Sequence, residues 1–157
     1  MPKQPIKREF AFTLMDVARL LRTYADQHAR RFGISRAQWV VLMRADRFPG
    51  LRQSELAELL DLQPISLTRL VDRLAESGLI ERKPDPSDRR ANRLFVTAAA
   101  KPLLDKLNVL GAEMMETVLE GLDQKTIERM LNDLESVRTN LRGAIARNAT
   151  TPQAANG

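Results

Sequence analysis

Residues 67–97 have the sequence LTRLVDRLAESGLIERKPDPSDRRANRLFVT, and the hydrophobic pattern changes twice within this stretch. It opens with the helical spacing of Leu67, Leu70, Val71 and Leu74, whose side chains share one face of a helix. Gly78 then favours the end of the helix, since glycine readily adopts the left-handed backbone found there. Alternating residues on both sides of a polar turn predict two short strands. A helix followed directly by such a hairpin is typical of a winged helix.

The turn between the two predicted strands is stiff and positively charged. Pro84 and Pro86 restrict its backbone, and Arg89 and Arg90 follow shortly afterwards. A carboxylate two residues before an arginine can hold its guanidinium by a charge-assisted hydrogen bond, so Asp88 is predicted to orient Arg90. The alternative is an ordinary surface ion pair that contributes well under ~1 kcal/mol. An oriented arginine of this kind suits a narrow minor groove, where the negative potential is enhanced.

The segment before this hairpin has helix-turn-helix spacing. A short helix capped by Ser54 and ending at Leu60 is predicted, followed by a turn and by a helix that starts at Pro64. The apolar face of the second helix must contact the core, which leaves the other residues of its N-terminal half outside. The outward residues are Ile65, Ser66, Thr68 and Arg69, with Arg73 one turn later. Such residues can contact base edges and phosphates, although a lone arginine on a helix is usually just a solvated charge.

Apolar periodicity predicts four more helices. The first begins at Phe10, the second is capped by Ser35 and ends near Arg47, the third is capped by Thr97, and the last begins at Asp123. The first, third and last carry more apolar surface than a lobe of some 60 residues can cover. They therefore predict a helical dimerisation layer.

The predicted fold class is mainly α with a small β-wing, in which a winged helix-turn-helix lobe is combined with the helical dimerisation layer. Residues 1–9 are predicted to form a flexible N-terminal arm and residues 148–157 a disordered tail, because both segments bury little. A single domain is predicted for residues 10–147. Within it, residues 35–97 form the DNA-binding lobe, and residues 10–34 and 98–147 form the dimerisation helices.

Composition limits the possible functions. The chain has 157 residues, no cysteine and one histidine, which argues against a disulfide framework, a structural metal site or a thiol-based redox sensor. It contains no apolar run of membrane-spanning length and no signal-peptide core, so a cytoplasmic protein without membrane contact is expected. No glycine-rich phosphate loop or evident nucleophile–base pair is present, and we expect no enzyme activity and no cofactor.

The net charge of +5 favours a polyanionic partner, but its distribution is uneven. Counted as Lys and Arg against Asp and Glu, residues 1–52 have 11 against 4, whereas residues 53–97 and residues 98–157 each have 7 against 8. The segment expected to contact DNA is thus nearly neutral. Its affinity must come from a few well-placed arginines rather than from bulk charge.

From about Phe10 to Ala146 the sequence resembles the MarR family of bacterial winged-helix regulators. The most specific match is residues 67–97, which are similar to the family's recognition helix, its Gly-Leu-Ile/Val-x-Arg approach to the wing, its D-x-R wing tip and its closing Leu-Thr. The segments SRAQWVVL and SELAELL match the preceding helices. Val96-Thr97 replaces the usual Leu-Thr, and the missing cysteine excludes the oxidation-sensing branch of the family.

This resemblance implies an obligate homodimer that binds a pseudo-palindromic double-stranded DNA operator and usually represses transcription. It implies major-groove contacts for Ser66, Thr68 and Arg69, and phosphate contacts near Gln53 and Ser54. It also implies that the wing-tip arginine enters the minor groove. The full set of predicted DNA-binding residues is Gln53, Ser54, Pro64, Ser66, Thr68, Arg69, Arg73, Asp88, Arg89, Arg90 and Arg93.

The resemblance further implies a small-molecule effector that releases DNA. In the family such effectors are often aromatic carboxylates, phenolics or CoA thioesters, and they bind where the first, second and fifth helices meet the DNA-binding lobe. Here the predicted ligand-binding residues are Leu21, Tyr24, His28, Trp39 and Met43. Rings with polar tips are also common in cores and interfaces, where they serve packing and hydrogen bonding alone.

A second interpretation is a winged-helix protein-interaction module that does not recognise DNA sequence. Such a module would be expected to expose an apolar patch on its wing. The cations Arg89, Arg90 and Arg93 on the predicted hairpin favour DNA instead.

Overall fold

The computed structural model describes residues 5–150 of the chain. Its α-helices are α1 Ile6–Ala29, α2 Arg36–Arg47, α3 Gln53–Leu59, α4 Pro64–Glu76, α5 Lys101–Val118 and α6 Gln124–Thr150. Its strands are β1 Leu51–Arg52, β2 Ile80–Pro84 and β3 Asn92–Val96. The mainly helical fold with a small β-wing is thus confirmed.

The three strands form one antiparallel sheet in the order β1-β3-β2. The hairpin of β2 and β3 was predicted, but β1 was not. Only two residues long, β1 is too short for any alternation to be visible in the sequence. It follows Gly50, whose φ of 79° lies in the left-handed region that glycine adopts easily. β1 therefore connects α2 to the centre of the wing and leads directly into α3.

The chain divides into two compact units at Gly111, within α5. The core of the first unit lies between the sheet and helices α2, α3 and α4. Its largest fully buried side chains are Leu42, Leu56, Leu67, Leu74, Leu94, Leu107, Val41 and Val71. Ile80, Ala100 and Leu104 are buried in the same region.

The longest helices expose much of their apolar surface. On α1, large side chains such as Phe10 and Leu20 are at least half exposed, and Ala29 is the only buried residue. On α6, Leu131, Leu141 and Ile145 are more than half exposed. Across residues 5–150, no helix combines the length and the apolar character that a membrane-spanning segment requires.

The first and last helices extend further than the apolar periodicity indicated. α1 begins at Ile6 rather than at Phe10, because the Pro5 carbonyl accepts hydrogen bonds from the backbone N–H groups of Arg8 and Glu9. α6 continues to Thr150, since polar residues without a pattern can still complete a helix. Residues 1–4 of the predicted arm and 151–157 of the predicted tail lie outside the described residues.

Of the three predicted helix caps, one is confirmed and two are corrected. Ser35 accepts a hydrogen bond from the N–H of Gln38 at the start of α2, as expected. Asp123, predicted to begin the last helix, lies just before α6 and accepts from the N–H of Thr126. Ser54 lies inside α3, whose N-cap is Arg52. Thr97 precedes a short 3-10 turn, and its hydroxyl donates instead to the carbonyl of Gly78 at 2.6 Å.

Candidate nucleic-acid interface

Helix α4 turns its apolar face to the core, as the sequence predicted. Leu67, Val71 and Leu74 are buried on one side, and Leu70 is partly buried against the same core. The N-terminal half of the other side exposes the predicted residues Ser66 and Arg69. Neither side chain has an ion-pair or side-chain hydrogen-bond partner within residues 5–150, so both are available to a ligand.

The start of α4 is fixed by a tight turn. Asp61 has a φ of 51°, a left-handed conformation that is uncommon outside glycine and that reverses the chain after α3. Pro64 occupies the first turn of α4, where its missing N–H costs no helical hydrogen bond. Pro64 is itself exposed at the predicted interface.

A hydrogen-bonded relay centred on Arg82 holds α4 against α3 and β2. The Nε of Arg82 donates to the side-chain oxygen of Gln53 at 3.0 Å, and its Nη2 donates to Asp72 at 2.6 Å. The Nε2 of Gln53 in turn donates to the hydroxyl of Thr68 at 3.0 Å. One guanidinium thus connects a strand of the wing to two helices, which fixes the rotation of α4.

The relay changes the roles of two predicted DNA-binding residues. The hydroxyl of Thr68 donates to the carbonyl of Pro64 at 2.9 Å, so its one proton is used inside the protein. The amide of Gln53 is occupied at both ends. Both side chains position the helix in this structure. The alternation of β2 could have indicated this role for Arg82, because it places Arg82 on the same face of the sheet as the buried Ile80.

Two other predicted residues lie at the surface. Ser54 is exposed in the first turn of α3, and Arg73 is exposed on α4, one turn beyond Arg69. Arg73 forms no ion pair with any carboxylate of residues 5–150. Its charge is therefore free to interact with a phosphate.

The wing tip differs from the predicted arrangement. The side chain of Asp88 accepts a hydrogen bond from the backbone N–H of Arg90 at 2.9 Å, and within residues 5–150 no ion pair joins it to the Arg90 guanidinium. Asp88 therefore shapes the turn rather than holding the guanidinium, because an aspartate readily bonds the backbone two residues ahead. Arg89 and Arg90 are both exposed at the tip.

The wing is held together by Asp85, a residue that was not predicted from the sequence. Only 4% of this residue is exposed. Its Oδ2 accepts from the Nε of Arg52 and the Nε of Arg93, each at 2.8 Å. Its Oδ1 accepts from the N–H and the hydroxyl of Ser87 and from the N–H of Asp88. The hydrogen bonds from Arg52 and Arg93, followed by those from Ser87, lower the pKa of the Asp85 carboxyl far below its usual range.

The predicted effector residues are only partly brought together. Leu21, Trp39 and Met43 line a groove of about 590 Å³ between α1 and α2. Tyr24 and His28 do not line it. Their rings contact each other edge to face at a centroid distance of 4.4 Å, and the Nδ1 of His28 lies 2.9 Å from the Tyr24 carbonyl oxygen.

Arginines that the sequence did not predict as ligand-binding residues border the same groove. Ala18, Ala25 and Val40 complete its apolar floor. Four arginines, Arg22, Arg36, Arg44 and Arg47, lie along it. Arg36 faces the carboxylate of Asp26 at 3.2 Å. The groove thus combines an apolar interior with cationic edges, a lining suited to an aromatic or aliphatic body that carries an acid group.

Comparison with known proteins identifies the lobe. The sequence model of the MarR family matches residues 34–91, which contain the helix-turn-helix and the wing tip. This match covers most of the lobe that the sequence predicts over residues 35–97. Transcriptional regulators of that family are among the solved structures whose fold the chain shares.

Solved MarR structures have the same fold along most of the chain. A MarR regulator from Methanosarcina mazei Go1 is 24% identical with a TM-score of 0.80, and the match covers 87% of this chain and 99% of that one. The regulator SlyA is 25% identical with a TM-score of 0.73, over 88% and 94% of the two chains. A MarR family regulator from Listeria monocytogenes, determined with a 26mer DNA, is 18% identical with a TM-score of 0.78, over 97% and 99%.

Proposed function

We propose that this protein is a sequence-specific DNA-binding regulator that represses transcription from a pseudo-palindromic operator. One observation carries the proposal. The Arg82 relay fixes α4 so that Ser66 and Arg69 are exposed in its N-terminal half, the part of a recognition helix that reaches base edges. Arg69 can donate two hydrogen bonds to a guanine. Arg90 on the wing is proposed to enter the adjacent minor groove.

The proposed active form is a homodimer in the cytoplasm. Phe10, Leu20, Leu141 and Ile145 are among the apolar side chains that are half exposed or more in the single chain, and such patches favour association. We propose that residues 10–34 and 98–147 form the dimerisation layer and residues 35–97 the DNA-binding lobe. Two recognition helices then meet half-sites about 34 Å apart on one face of the operator.

The proposed effector is an aromatic acid or its CoA thioester, bound in the groove between α1 and α2. Trp39 and Met43 offer an apolar surface to its ring, while Arg22 and Arg44 attract its acid group. A ligand there would favour one spacing of the two lobes over another. Because half-site spacing tolerates little error, a preference of a few kcal/mol between spacings releases DNA.

Replacing Arg90 with alanine tests DNA recognition. The operator is first selected from a random duplex library with the wild-type protein. We expect Arg90→Ala to weaken operator binding by about 1 to 3 kcal/mol in gel-shift titrations at physiological salt, because a groove contact is lost. Sedimentation should show an unchanged dimer.

Arg19→Ala is the matched control, since Arg19 is an exposed arginine of α1 whose side chain forms a surface ion pair with Asp16. It should leave operator affinity within about 0.5 kcal/mol of wild type. Equal affinities for wild type and Arg90→Ala would contradict the proposed role of the wing. Failure of the wild type to enrich any sequence would favour the protein-interaction module.

Fluorescence of the single tryptophan, Trp39, tests the effector groove. Benzoate and its CoA thioester should change the emission, because Trp39 lines the groove. Benzyl alcohol, which has the same ring without the charge, should bind more weakly, since the arginines gain nothing from it. Unchanged emission with every acid, or equal binding of the alcohol and the acid, would contradict the proposed ligand class.

A further inference from the structure

Three cations form a row across the outer face of the wing. In the antiparallel sheet, Arg52 on β1 lies directly opposite Arg93 on β3, and Arg93 lies directly opposite Lys83 on β2. Residues paired in this way point to the same side of a sheet. With strands about 4.8 Å apart, the row spans roughly 10 Å.

Like charges placed directly opposite each other destabilise a sheet unless something offsets them. Asp85 does so for Arg52 and Arg93, because a single oxygen, Oδ2, accepts a hydrogen bond from the Nε of each. Lys83 is offset separately, by Glu81 at 3.3 Å and by the ring of Phe95 below it. The two arginines therefore form a distinct pair around one buried carboxylate.

The guanidinium groups are only partly used by this contact. Within residues 5–150, Arg93 makes its single hydrogen bond through Nε. Arg52 adds only a 3.5 Å contact from Nη2 to the hydroxyl of Ser87. Because a guanidinium has five N–H donors, most donors of both arginines remain unused. The side chains are 36% and 40% exposed, so these donors are accessible to a ligand.

The pair borders a cleft that has its own positive charge. The cleft, of about 660 Å³, is also lined by Arg47, Gly50 and Glu55. A side chain at Gly50 would come within 3.2 Å of the Phe95 ring, and its φ of 79° also favours glycine. Three arginines against Glu55 and Asp85 leave this region with one excess positive charge.

We propose that Arg52 and Arg93 form a binding site for one phosphodiester group of the DNA backbone, with Asp85 as the residue that positions both arginines. The chemistry is that of a tetrahedral anion accepting from two convergent guanidinium groups. This inference rests on the proposed function, since the phosphodiester belongs to the DNA that the wing contacts. It adds a backbone contact on the outer face of the wing, separate from the wing-tip contact of Arg90.

Salt dependence of DNA binding tests the site. The wild type, Arg52→Gln and Arg93→Gln are titrated with the selected operator between 50 and 200 mM salt. Each phosphate contact contributes about 0.9 to the slope of log affinity against log salt concentration. We expect each variant to reduce the slope by about 2, because the homodimer loses one phosphate contact in each protomer. Binding to operator and to unrelated duplex should weaken by the same factor. Arg19→Gln, which removes one charge from α1, should leave the slope unchanged.

A second measurement uses the wild-type chain and does not depend on the folding of a variant. Single methylphosphonate groups, which lack the charge of a phosphate, are placed in turn along the backbone flanking the operator. One position in each half-site should reduce the slope by about 1 in the wild type and have no further effect in Arg93→Gln.

The outcomes separate the two proposals. A wild type that does not prefer its selected operator contradicts the proposed function. The phosphate site alone is overturned if the wild type clearly prefers its operator but two further results hold. No methylphosphonate changes the salt slope of the wild type, and neither Arg52→Gln nor Arg93→Gln changes the slope more than Arg19→Gln does. Inorganic phosphate that binds wild-type protein but not Arg93→Gln, with unchanged DNA slopes, would assign the pair to a free anion and also overturn the proposal.

Discussion

The two faces of the three-stranded sheet use arginine in different ways. On the inner face, Arg82 lies directly opposite the buried Leu94, and its guanidinium leaves the core to reach Gln53 and Asp72. On the outer face, Arg93 shares a buried carboxylate with a second arginine and keeps most of its donors unused. The inner arginine therefore holds α4 in place. The outer arginines remain available to a partner.

This difference follows from what each face must satisfy. The inner face contacts a core, so a charge there is stable only when its hydrogen bonds are made inside the protein. The outer face is exposed to water, and a carboxylate buried beneath two arginines organises them without using their terminal donors. Arginines on neighbouring strands of one sheet can therefore differ in role according to the face they occupy: Arg82 is bonded inside the protein, whereas Arg93 keeps donors for a partner.

The largest expected effect is on the inner face. Leu94 is fully buried on the central strand, so Leu94→Ala should lower the free energy of unfolding by about 2 to 5 kcal/mol. Phe95→Ala is the matched control on the outer face. It should cost only about 1 kcal/mol, because the ring of Phe95 is partly in water already. Urea titrations at one fixed protein concentration measure the free energy of unfolding of both variants. Equal losses in the two variants would show that the two faces do not differ in burial.

The next effect is a pH dependence from the outer face. Because folding lowers the pKa of Asp85, its stabilisation is present above the unfolded value of about 4 and is lost as the pH falls towards the folded value. The unfolding free energy of the wild type should therefore decrease below about pH 4. Asp85→Asn should be less stable than the wild type at pH 7 and should lose less on acidification. If the wild type and Asp85→Asn lost the same unfolding free energy on acidification, the charge of Asp85 would not contribute to the stability.

The smallest effect concerns the inner arginine itself. Arg82→Gln should lower the free energy of unfolding by about 1 kcal/mol, since its ion pair with Asp72 is partly exposed although its contact with Gln53 is shielded. Lys83→Gln changes the next residue, whose partner Glu81 is at the surface, and should cost less than about 0.5 kcal/mol. Thermal melts compare the two. If Lys83→Gln lost more unfolding free energy than Arg82→Gln, Arg82 would not be the structural charge of this strand.

Much of the fold was predictable because it depends on periodicity. The buried Leu67, Val71 and Leu74 of α4 are the residues with helical spacing, and the strands flanking the polar turn are those with alternation. Gly78 has the left-handed φ expected at the end of α4. These features depend on residues close together in the chain, so a single stretch contains the information.

The polar networks were not predictable for the opposite reason. Arg52 and Asp85 are 33 residues apart, and they meet only because β1 pairs with β3. The Asp88–Arg90 pair was assigned from spacing alone, but the carboxylate bonds the backbone instead of the guanidinium. Spacing indicates which side chains can meet, whereas competition among several donors decides which of them do.

By itself, the sequence determined the helix-turn-helix, the hairpin and the apolar faces, because each follows from local periodicity and from the restricted backbones of glycine and proline. The stretch from Leu67 to Thr97 was enough to place the chain among winged helices. Only the tertiary structure decided what its charges do. The two-residue strand β1 brings Arg52 beside Arg93, and α3 brings Gln53 to Arg82, so these arginines obtain their partners from distant segments.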